Sequence, residues 1–310
     1  MKYDVIVMGS INMDLLSHVD DFPEERSNVI GHYLERSTGG KGSNQAATVA
    51  KQGVSHTMVG AVGNDPFGHE ILANMKRQGI DTNGVIIKDD VATGTPVGII
   101  TKDGSNTFIG ILGANMAMTA ADVDKAFENI EGSMLLLQLE TSRESVLEAL
   151  KVAHDRGMTI VLDPAPSACC FPEALAYADI VTPNLQEAEA IADMTIDDWD
   201  DAKAAAKRIA DMGVDNVVVK FEEHGSVLYR AAEKSYTLFP ARRVKAVNTT
   251  GAGDVFAGVL ASLMSRGVDL DTALKKATIA SSIKVSRNGG QDAIPTPDEI
   301  EGIYAQSIAD

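Results

Sequence analysis

The 310-residue sequence has only two cysteines, and these two residues, Cys169 and Cys170, are neighbours in the chain. Ordinary disulfide geometry disfavours a bond between adjacent cysteines, and two thiols are too few for a cysteine zinc site. The sequence also lacks an apolar run near the roughly 20 residues that cross a bilayer, and its start does not resemble a signal peptide. We therefore expect a cytoplasmic protein with no membrane partner.

Basic residues are scarce as well, since 27 lysines and arginines stand against 44 aspartates and glutamates, for a net charge of −17. An acidic surface does not attract nucleic acid or anionic membranes, so neither is expected as a partner. An anionic nucleotide would need a locally positive nest of N–H groups or a metal ion. The composition, 45% hydrophobic and 23% charged, is that of an ordinary globular protein with a substantial core.

Short apolar runs alternate with helical patterns along the chain, with no internal repeat. Continuous apolar runs are typical of parallel strands covered on both faces. Asp65, Thr119 and Ser142 are the predicted N-caps of three of the intervening helices. The alternation predicts a three-layer, Rossmann-like α/β fold with a mostly parallel sheet. The six candidate strands are Val5–Met8, Thr57–Ala61, Met134–Gln138, Thr159–Leu162, Ile180–Thr182 and Val217–Val219.

Four further candidate strands have no helix between them: Leu15–Val19, Val29–Arg36, Thr95–Thr101 and Asn106–Ile111. The last two flank residues 102–105, which contain Asp-Gly, a strong hairpin signal. We expect these strands to form a small four-stranded β lid, inserted at about residues 12–36 and 94–112 of a single domain spanning 1–310. Such a lid would lie over the carboxyl ends of the main strands, where ligands bind in α/β enzymes.

The stretch Asn248–Asp254 carries the strongest functional signal, because three small residues directly precede an aspartate and an amphipathic helix. Free N–H groups at a helix N-terminus, beside the positive end of the helix dipole, suit a phosphate or a developing anion. A carboxylate at this place would repel a passive phosphate ligand, so proton abstraction is a good reason for Asp254 to be there. The alternative is that Asp254 only caps its helix, since aspartate is a preferred N-cap residue.

A second glycine-rich segment, residues 39–44 (Gly-Gly-Lys-Gly-Ser-Asn), precedes a predicted helix. It fits neither the P-loop spacing nor the Gly-x-Gly-x-x-Gly spacing of dinucleotide sites. Glycines such as Gly40 let the backbone approach a ligand closely, while Lys41 and Asn44 supply donors to hydroxyl groups. A purely structural loop is the alternative.

Polar residues also follow three of the candidate strands. Asn12 and Asp14 follow the first, where an amide and a carboxylate could hold neighbouring sugar hydroxyls, or could form only a solvated turn. Glu140 follows the strand that ends at Gln138. Asn184 and Glu187, three residues apart on one helix face, could approach one magnesium–phosphate group, or could be a helix cap and its capping-box partner.

Taken together, these segments resemble the PfkB-type sugar kinases, and within them the ribokinases most closely. The segments Gly9–Asp14, Gly39–Asn44, Gln138–Glu140, Thr182–Glu187 and Asn248–Asp254 occur in the order and approximate spacing of that family, over a span from Val5 to about Pro295. The resemblance implies ATP-dependent phosphorylation of a primary sugar hydroxyl, first of all that of ribose, with Mg²⁺ as cofactor and a homodimer formed through the lid. Another furanose, a ketose or a nucleoside as substrate, or a sugar- or nucleotide-binding regulatory protein without turnover, are the alternatives.

The resemblance also implies a role for each residue of the motifs. Asp254 would be the general base, and the N–H groups of Gly251, Ala252, Gly253 and Asp254 would stabilise charge on the transferring phosphoryl group. Glu187, together with Asn184, matches the magnesium contacts. The implied sugar contacts are Asn12, Asp14, Gly40, Lys41, Asn44, Glu140 and Asp254. The implied ATP contacts are Asn184, Lys220, Gly225 and Thr278.

Two positions depart from the family pattern. Glu222 stands where relatives usually carry glycine, so an acidic pair with Glu223 lies beside the expected polyphosphate and should alter nucleotide affinity or choice. Asn248 replaces an aspartate that in the family helps to bind an activating potassium ion. By position, the other ligands of that ion would be backbone carbonyls of Thr250, Val285, Asn288 and Gly290. Losing a carboxylate weakens such a site, so we expect potassium to have little effect.

Overall fold

The computed structural model describes residues 1–309 and contains two β-sheets. The strands are β1 (Lys2–Met8), β2 (Asn12–His18), β3 (Tyr33–Gly39), β4 (His56–Gly63), β5 (Gly84–Lys88), β6 (Val97–Ile100), β7 (Asn106–Ile109), β8 (Glu131–Gln138), β9 (Thr159–Asp163), β10 (Ile180–Val181), β11 (Asn216–Phe221), β12 (Gly225–Arg230) and β13 (Ser235–Pro240). The helices are α1 (Lys41–Lys51), α2 (Pro66–Arg77), α3 (Ala120–Phe127), α4 (Arg143–Asp155), α5 (Pro172–Leu175), α6 (Leu185–Ala192), α7 (Trp199–Ala210), α8 (Ala252–Met264), α9 (Leu270–Val285) and α10 (Pro297–Ala309).

The larger sheet has nine strands in the order β13-β12-β11-β10-β9-β8-β1-β4-β5. Its pairings are parallel except those that β12 makes with β11 and β13 at one edge. All six predicted main strands are present, which confirms the mostly parallel sheet; β5, β12 and β13 were not predicted. No helix within residues 1–309 is both long and apolar enough to cross a membrane.

Helices cover both faces of the large sheet, as the continuous apolar strands predict. Val5 and Val7 of β1 pack in a core with α1, α2, α8, α9 and α10, whereas Ile6 and Met8 pack in a second core with α3 to α7. The three predicted N-caps are confirmed, since Asp65, Thr119 and Ser142 each accept a hydrogen bond from the backbone of the first turn. The three-layer α/β fold follows from this arrangement.

The smaller sheet has four strands in the order β3-β2-β6-β7, and it forms the predicted lid. Two predicted boundaries in it are wrong. Strand β2 begins at Asn12 rather than Leu15, so Asn12 and Asp14 belong to the lid and not to a solvated turn. The segment 29–32 is not a strand, because β2 ends at His18, whose partner in the ladder is Tyr33. Residues before Tyr33 therefore face no opposing strand.

Candidate active site

A cleft of about 1070 Å³ opens at the carboxyl ends of the central strands. Such an edge of a parallel sheet is where α/β proteins bind ligands. Its walls bring together residues that the sequence places far apart, including Lys41, Asn184, Glu187, Lys220, Gly225, Thr278 and the whole of 251–254. Asn12, Asp14 and Glu140 do not line this cleft; they form an adjoining polar cluster beside Lys41, where the charge of Glu140 acts on both Asp14 and Lys41. Asn44 also lies outside the cleft wall, and its amide donates to Asp254.

The N-terminus of α8 forms one wall of the cleft. Gly251 is its N-cap, with a left-handed φ of 76° that glycine adopts without strain, and Asp254 is the third residue of the helix. Asp254 therefore neither begins nor caps this helix, and the capping alternative is wrong. Within residues 1–309 the N–H groups of Gly251, Gly253 and Asp254 have no protein acceptor, while the N–H of Ala252 donates to the carbonyl of Thr249 at 3.2 Å. Three N–H groups at a helix N-terminus are thus available to an anion.

The carboxylate of Asp254 is buried and held by two amides of α1. Asn44 Nδ2 donates to its Oδ2 at 2.9 Å, and Gln45 Nε2 lies 3.3 Å from its Oδ1. Close packing of the two helices makes this reach possible, because a Cβ added at Gly258 of α8 would lie 2.6 Å from Thr48 Cβ. Burial raises the pKa of Asp254 to about 6, although the Lys41 ammonium opposes that shift.

Asp163, at the end of β9, is a central residue of the cleft that the sequence analysis missed. It is buried, accepts from Gln45 Nε2 at 3.0 Å, and pairs with Lys220 Nζ at 3.2 Å. Its position directly after a predicted strand was the available signal, the same one that identified Glu140. No sequence signal marked Gln45, because it is an ordinary position in an alanine-rich helix.

Lys41, the first residue of α1, lies among four carboxylates. Burial favours its neutral form, but the charges of Asp254, Glu140, Asp163 and Glu187 outweigh this and raise the pKa of Lys41 above its ordinary value. Its ammonium is therefore charged throughout the physiological range. It balances part of the negative charge that would otherwise repel an anionic ligand.

Asn12 and Asp14 lie side by side on the inner part of the lid strand β2. Asn12 is buried, and its Oδ1 accepts a hydrogen bond from Asn115 Nδ2 at 2.8 Å, which fixes the orientation of its amide. Burial, with a contribution from the nearby Glu140 charge, raises the pKa of Asp14 to about 6. A Cβ added at Gly39 would lie 2.1 Å from Asp14 Oδ2, so the glycine makes room for this carboxylate.

Ser10 connects this polar cluster to the glycine-rich loop. Its Oγ donates to Glu140 Oε2 at 2.6 Å and accepts from the backbone N–H of Lys41 at 2.9 Å. Gly40, with φ of 90°, packs so closely on Ser10 that an added Cβ would lie 2.6 Å from its carbonyl oxygen. The loop thus sets the position of Lys41, and it has a structural role in addition to any contact with ligand.

Asn184 and Glu187 form the capping box of α6. The Asn184 side chain accepts from the Glu187 N–H at 2.8 Å, and Glu187 Oε2 accepts from the Asn184 N–H at 2.8 Å. Glu187 is nevertheless a wall residue of the cleft; burial and the charge of Asp163 raise its pKa, while Lys220 lowers it. The two residues are therefore a helix cap whose carboxylate also faces the ligand space.

The turn between β11 and β12 brings Glu222 and Gly225 to the cleft rim. Both have a positive φ, 47° for Glu222 and 120° for Gly225. At Gly225 only glycine fits, because an added Cβ would lie 2.0 Å from the Phe239 carbonyl oxygen. Glu222 is exposed and strained in a region of φ that favours glycine.

Asn248 and Val285, two candidates for a monovalent-cation site, are joined by the hydrogen bond from the Asn248 N–H to the Val285 carbonyl at 3.1 Å. Asn288 and Gly290 are exposed, and the carbonyl of Gly289 between them accepts a hydrogen bond from Asn248 Nδ2 at 3.4 Å. Lys284, which the sequence analysis missed, lies beside them with only 1% of its surface exposed.

Comparison with known proteins shows one consistent relationship. Residues 2–297 match the profile of the pfkB family carbohydrate kinases. The chain is 34% identical to a ribokinase of Bacillus subtilis, covering 97% of this chain and 99% of that protein. It is 31% identical to a deoxyribokinase of Salmonella typhi, covering 94% and 96%. The structure of an Arabidopsis thaliana ribokinase complexed with ribose and ATP superposes with a TM-score of 0.88 at 26% identity, covering 98% and 99%.

Proposed function

Because the chain belongs to the pfkB family of carbohydrate kinases, which use ATP, we propose that it phosphorylates the primary 5-hydroxyl of ribose. The single observation that carries this proposal is the position of Asp254, a buried carboxylate directly beside the free N–H groups of Gly251 and Gly253. A base and an anion-binding nest at one helix N-terminus suit a hydroxyl that loses its proton as it attacks a phosphoryl group.

In the proposed reaction the sugar hydroxyl oxygen attacks the γ-phosphorus of ATP, and the bond from that phosphorus to the leaving oxygen of ADP breaks. The hydroxyl proton passes to Asp254, whose pKa of about 6 leaves it ionised and able to accept a proton at neutral pH. The N–H groups of Gly251, Gly253 and Asp254 stabilise the charge on the transferring phosphoryl oxygens. Lys41 and Lys220 supply the positive charge that an acidic protein otherwise lacks here.

The polar cluster beside Lys41 supports a polyhydroxylated substrate. Ionised Asp14 and Glu140 accept hydrogen bonds from hydroxyl groups, and the fixed amide of Asn12 can donate one. Asn44 would complete the set, with Gly40 letting the substrate approach the backbone. The ribokinases of Bacillus subtilis and Arabidopsis thaliana make ribose the first candidate among such sugars.

ATP would lie along the rest of the cleft, with its phosphates near Asn184 and Lys220 and its nucleoside near Gly225 and Thr278. Among residues 1–309 no group of three or more acidic, histidine or cysteine side chains is placed to hold a metal unaided. The donors fit a Mg²⁺ shared with the nucleotide, with Glu187 on the protein side and Asn184 beside it. When bound there, Mg²⁺ would neutralise phosphate charge.

A coupled assay of ADP release tests the substrate directly. Purified enzyme with Mg·ATP is given ribose, 2-deoxyribose, fructose, hexoses and nucleosides in turn. The proposal predicts the highest kcat/KM for ribose, and a 31P spectrum that identifies the product as the 5-phosphate. The likeness to a deoxyribokinase makes 2-deoxyribose the second candidate, and a higher kcat/KM for it would reassign the substrate. ADP release with none of these acceptors would contradict the kinase itself and favour a binding protein without turnover.

The lid supports a homodimer. Its edge strands expose apolar side chains, with Tyr33 60%, Leu34 57%, Phe108 52% and Ile109 59% exposed. Two of these residues lie on β3 and two on β7, the opposite edges of the lid sheet. Exposed apolar side chains on unpaired edge strands are typical of interaction surfaces. The partner we propose is a second copy of the same lid, and a cytoplasmic location stays a prediction.

A further inference from the structure

Lys284 is the least expected charged residue of this protein. It lies near the end of α9, only 1% of its surface is exposed, and its ammonium donates to the Gly289 carbonyl at 3.1 Å. Burial lowers the pKa of Lys284, whereas the charges of Asp292 and Asp254 raise it. A buried lysine is rare unless its charge has a partner or a purpose.

The side chain of Lys284 reaches the anion-binding turn at Gly251. A Cβ added at Gly251 would lie 3.9 Å from Lys284 Cε and 3.8 Å from Asp254 Oδ2. Asn44 Nδ2 lies at 3.9 Å from the same point, so the Lys284 side chain is close to the turn on the side of the Asp254 carboxylate. This places its positive charge where it adds to the positive end of the α8 dipole.

The surrounding donors do not fit a bound monovalent cation. The Val285 carbonyl already accepts two N–H groups, from Val247 at 2.8 Å and Asn248 at 3.1 Å. The Asn248 side chain is also engaged, since its Oδ1 accepts from the Thr250 N–H at 2.9 Å. The carboxylate of Asp292 packs on this loop, with its Oδ1 2.7 Å from a Cβ added at Gly289, and its charge acts on the Lys284 ammonium. A second cation would be repelled by that buried ammonium at short range.

We propose that Lys284 is a built-in replacement for a bound monovalent cation. Its ammonium holds the 286–290 loop through the Gly289 carbonyl and supplies fixed positive charge beside the turn at Gly251. Lys284 is a positioning residue, because it acts on the anion-binding N–H groups and touches no substrate. The catalytic part of this proposal rests on the phosphoryl transfer proposed above, whereas the part that concerns cation binding does not.

Thermal unfolding tests cation binding without any activity measurement. The melting temperature is recorded in potassium chloride and in choline chloride of equal ionic strength. Wild-type protein should melt at the same temperature in both salts, because a ligand raises the melting temperature only by binding the folded state. The double variant Lys284→Ala, Asn248→Asp, which removes the ammonium and restores a carboxylate, should be stabilised by potassium alone. The control Lys276→Met, on the same helix but paired with Glu301, should resemble wild type. Stabilisation of wild type by potassium, or no potassium effect on the double variant, would overturn the proposal.

Kinetics test the catalytic part. Wild-type kcat should be equal in potassium, sodium and choline salts. Lys284→Ala should lose about tenfold or more in kcat with a smaller change in the KM for sugar, as expected when charge stabilisation at the transition state is weakened. Ammonium ion, which can donate to the Gly289 carbonyl in the space that the lysine leaves, should restore part of that loss, which a merely structural role would not allow. Strong potassium activation of wild type, or an unchanged kcat in Lys284→Ala, would refute the role. Absence of all kinase activity would instead reject the proposed function, with the melting experiment still deciding on cation binding.

Discussion

Asn44 Nδ2 donates to Asp254 Oδ2 across 2.9 Å, and this hydrogen bond joins the first turns of α1 and α8. The helix that orients the proposed base therefore also begins with Lys41, whose positive charge lowers the pKa of Asp254. Gln45, which follows Asn44 in the same helix, donates to both Asp254 and Asp163. The hydrogen bonds from Asn44 and Gln45 fix the position of the Asp254 carboxylate, although burial makes its ionised form unfavourable.

Removing the charge of Asp254 should stabilise the fold. The folded-state pKa of Asp254 is raised from 3.8 to about 6, so the protonated carboxyl group stabilises the folded state. This stabilisation is fully present below the unfolded-state pKa of 3.8 and is lost as the pH rises through 6. Above that pH the ionised form opposes folding, and Asp254→Asn should raise the free energy of unfolding by about 1–3 kcal/mol at pH 8. Urea denaturation at about pH 8 and pH 5 measures this, with the exposed Asp155→Asn as control. If Asp254→Asn is less stable than wild type at about pH 8, the ionised carboxylate does not destabilise the fold and the prediction is wrong.

The same titration should appear in catalysis. A general base works only when ionised, so kcat/KM should fall as pH drops below about 6. Asp14 has a pKa raised to a similar value and would also lose its hydroxyl-accepting form there. A pH–rate profile of Asp14→Asn separates the two, because the acidic limb should persist, at reduced kcat/KM, if Asp254 is the base. Disappearance of that limb would assign it to Asp14 instead.

Lys41 should tune the base as well as attract the substrate. Because its ammonium opposes the raised pKa of Asp254, Lys41→Met should move the acidic limb of the profile to higher pH. Lys41→Arg keeps the charge, so its limb should stay near the wild-type position even if its KM is higher. The comparison uses kcat/KM between about pH 5 and 9. Equal limbs in the methionine and arginine variants would show that the two groups are not coupled.

Substitutions at Glu222 distinguish the effect of backbone strain on stability from the effect of negative charge on ATP binding. Glu222→Gly should stabilise the protein by about 1 kcal/mol, because glycine adopts the left-handed φ without strain, and it should lower the KM for ATP by removing a negative charge. Glu223→Gly removes the same charge at a residue without positive φ, so it should give no such stability gain. Glu222→Gln removes the charge alone. A glycine variant that is less stable than the glutamine variant would refute the strain.

The lid should carry the dimer contact. Phe108→Ser combined with Ile109→Ser should convert the protein to monomer at micromolar concentration, as measured by sedimentation velocity. Leu238→Ser alters a residue of comparable exposure, 43%, on β13 outside the lid, and should leave the association state unchanged. A wild-type protein that sediments as a monomer, or a lid variant that remains dimeric, would exclude this interface.

Much of the fold could be predicted because local patterns and tertiary packing agree. Asp65 caps its helix as its sequence position indicates, and the apolar runs are strands covered on both faces. The start of β3 could not be predicted from residues 29–32 themselves, since it depends on where the partner strand ends at His18.

Some residues of the candidate active site could likewise be predicted from the sequence, and others could not. Asp254, Lys41 and Glu140 follow glycines or strand ends, and such positions are visible in a sequence. Gln45 and Lys284 lie inside helices, where glutamine and lysine are ordinarily solvated. Only the packing of α1 and α9 against α8 shows that these two side chains are buried beside the cleft.

The most direct test is transfer of the labelled γ-phosphoryl group of ATP to ribose at about pH 8, measured for wild type, Asp155→Asn and Asp254→Asn. We predict ribose 5-phosphate from the first two proteins at equal rates. We predict a rate lower by about 10²–10⁴-fold for Asp254→Asn, the usual contribution of a positioned general base. Transfer by Asp254→Asn at the wild-type rate would contradict the assignment of Asp254 as the base.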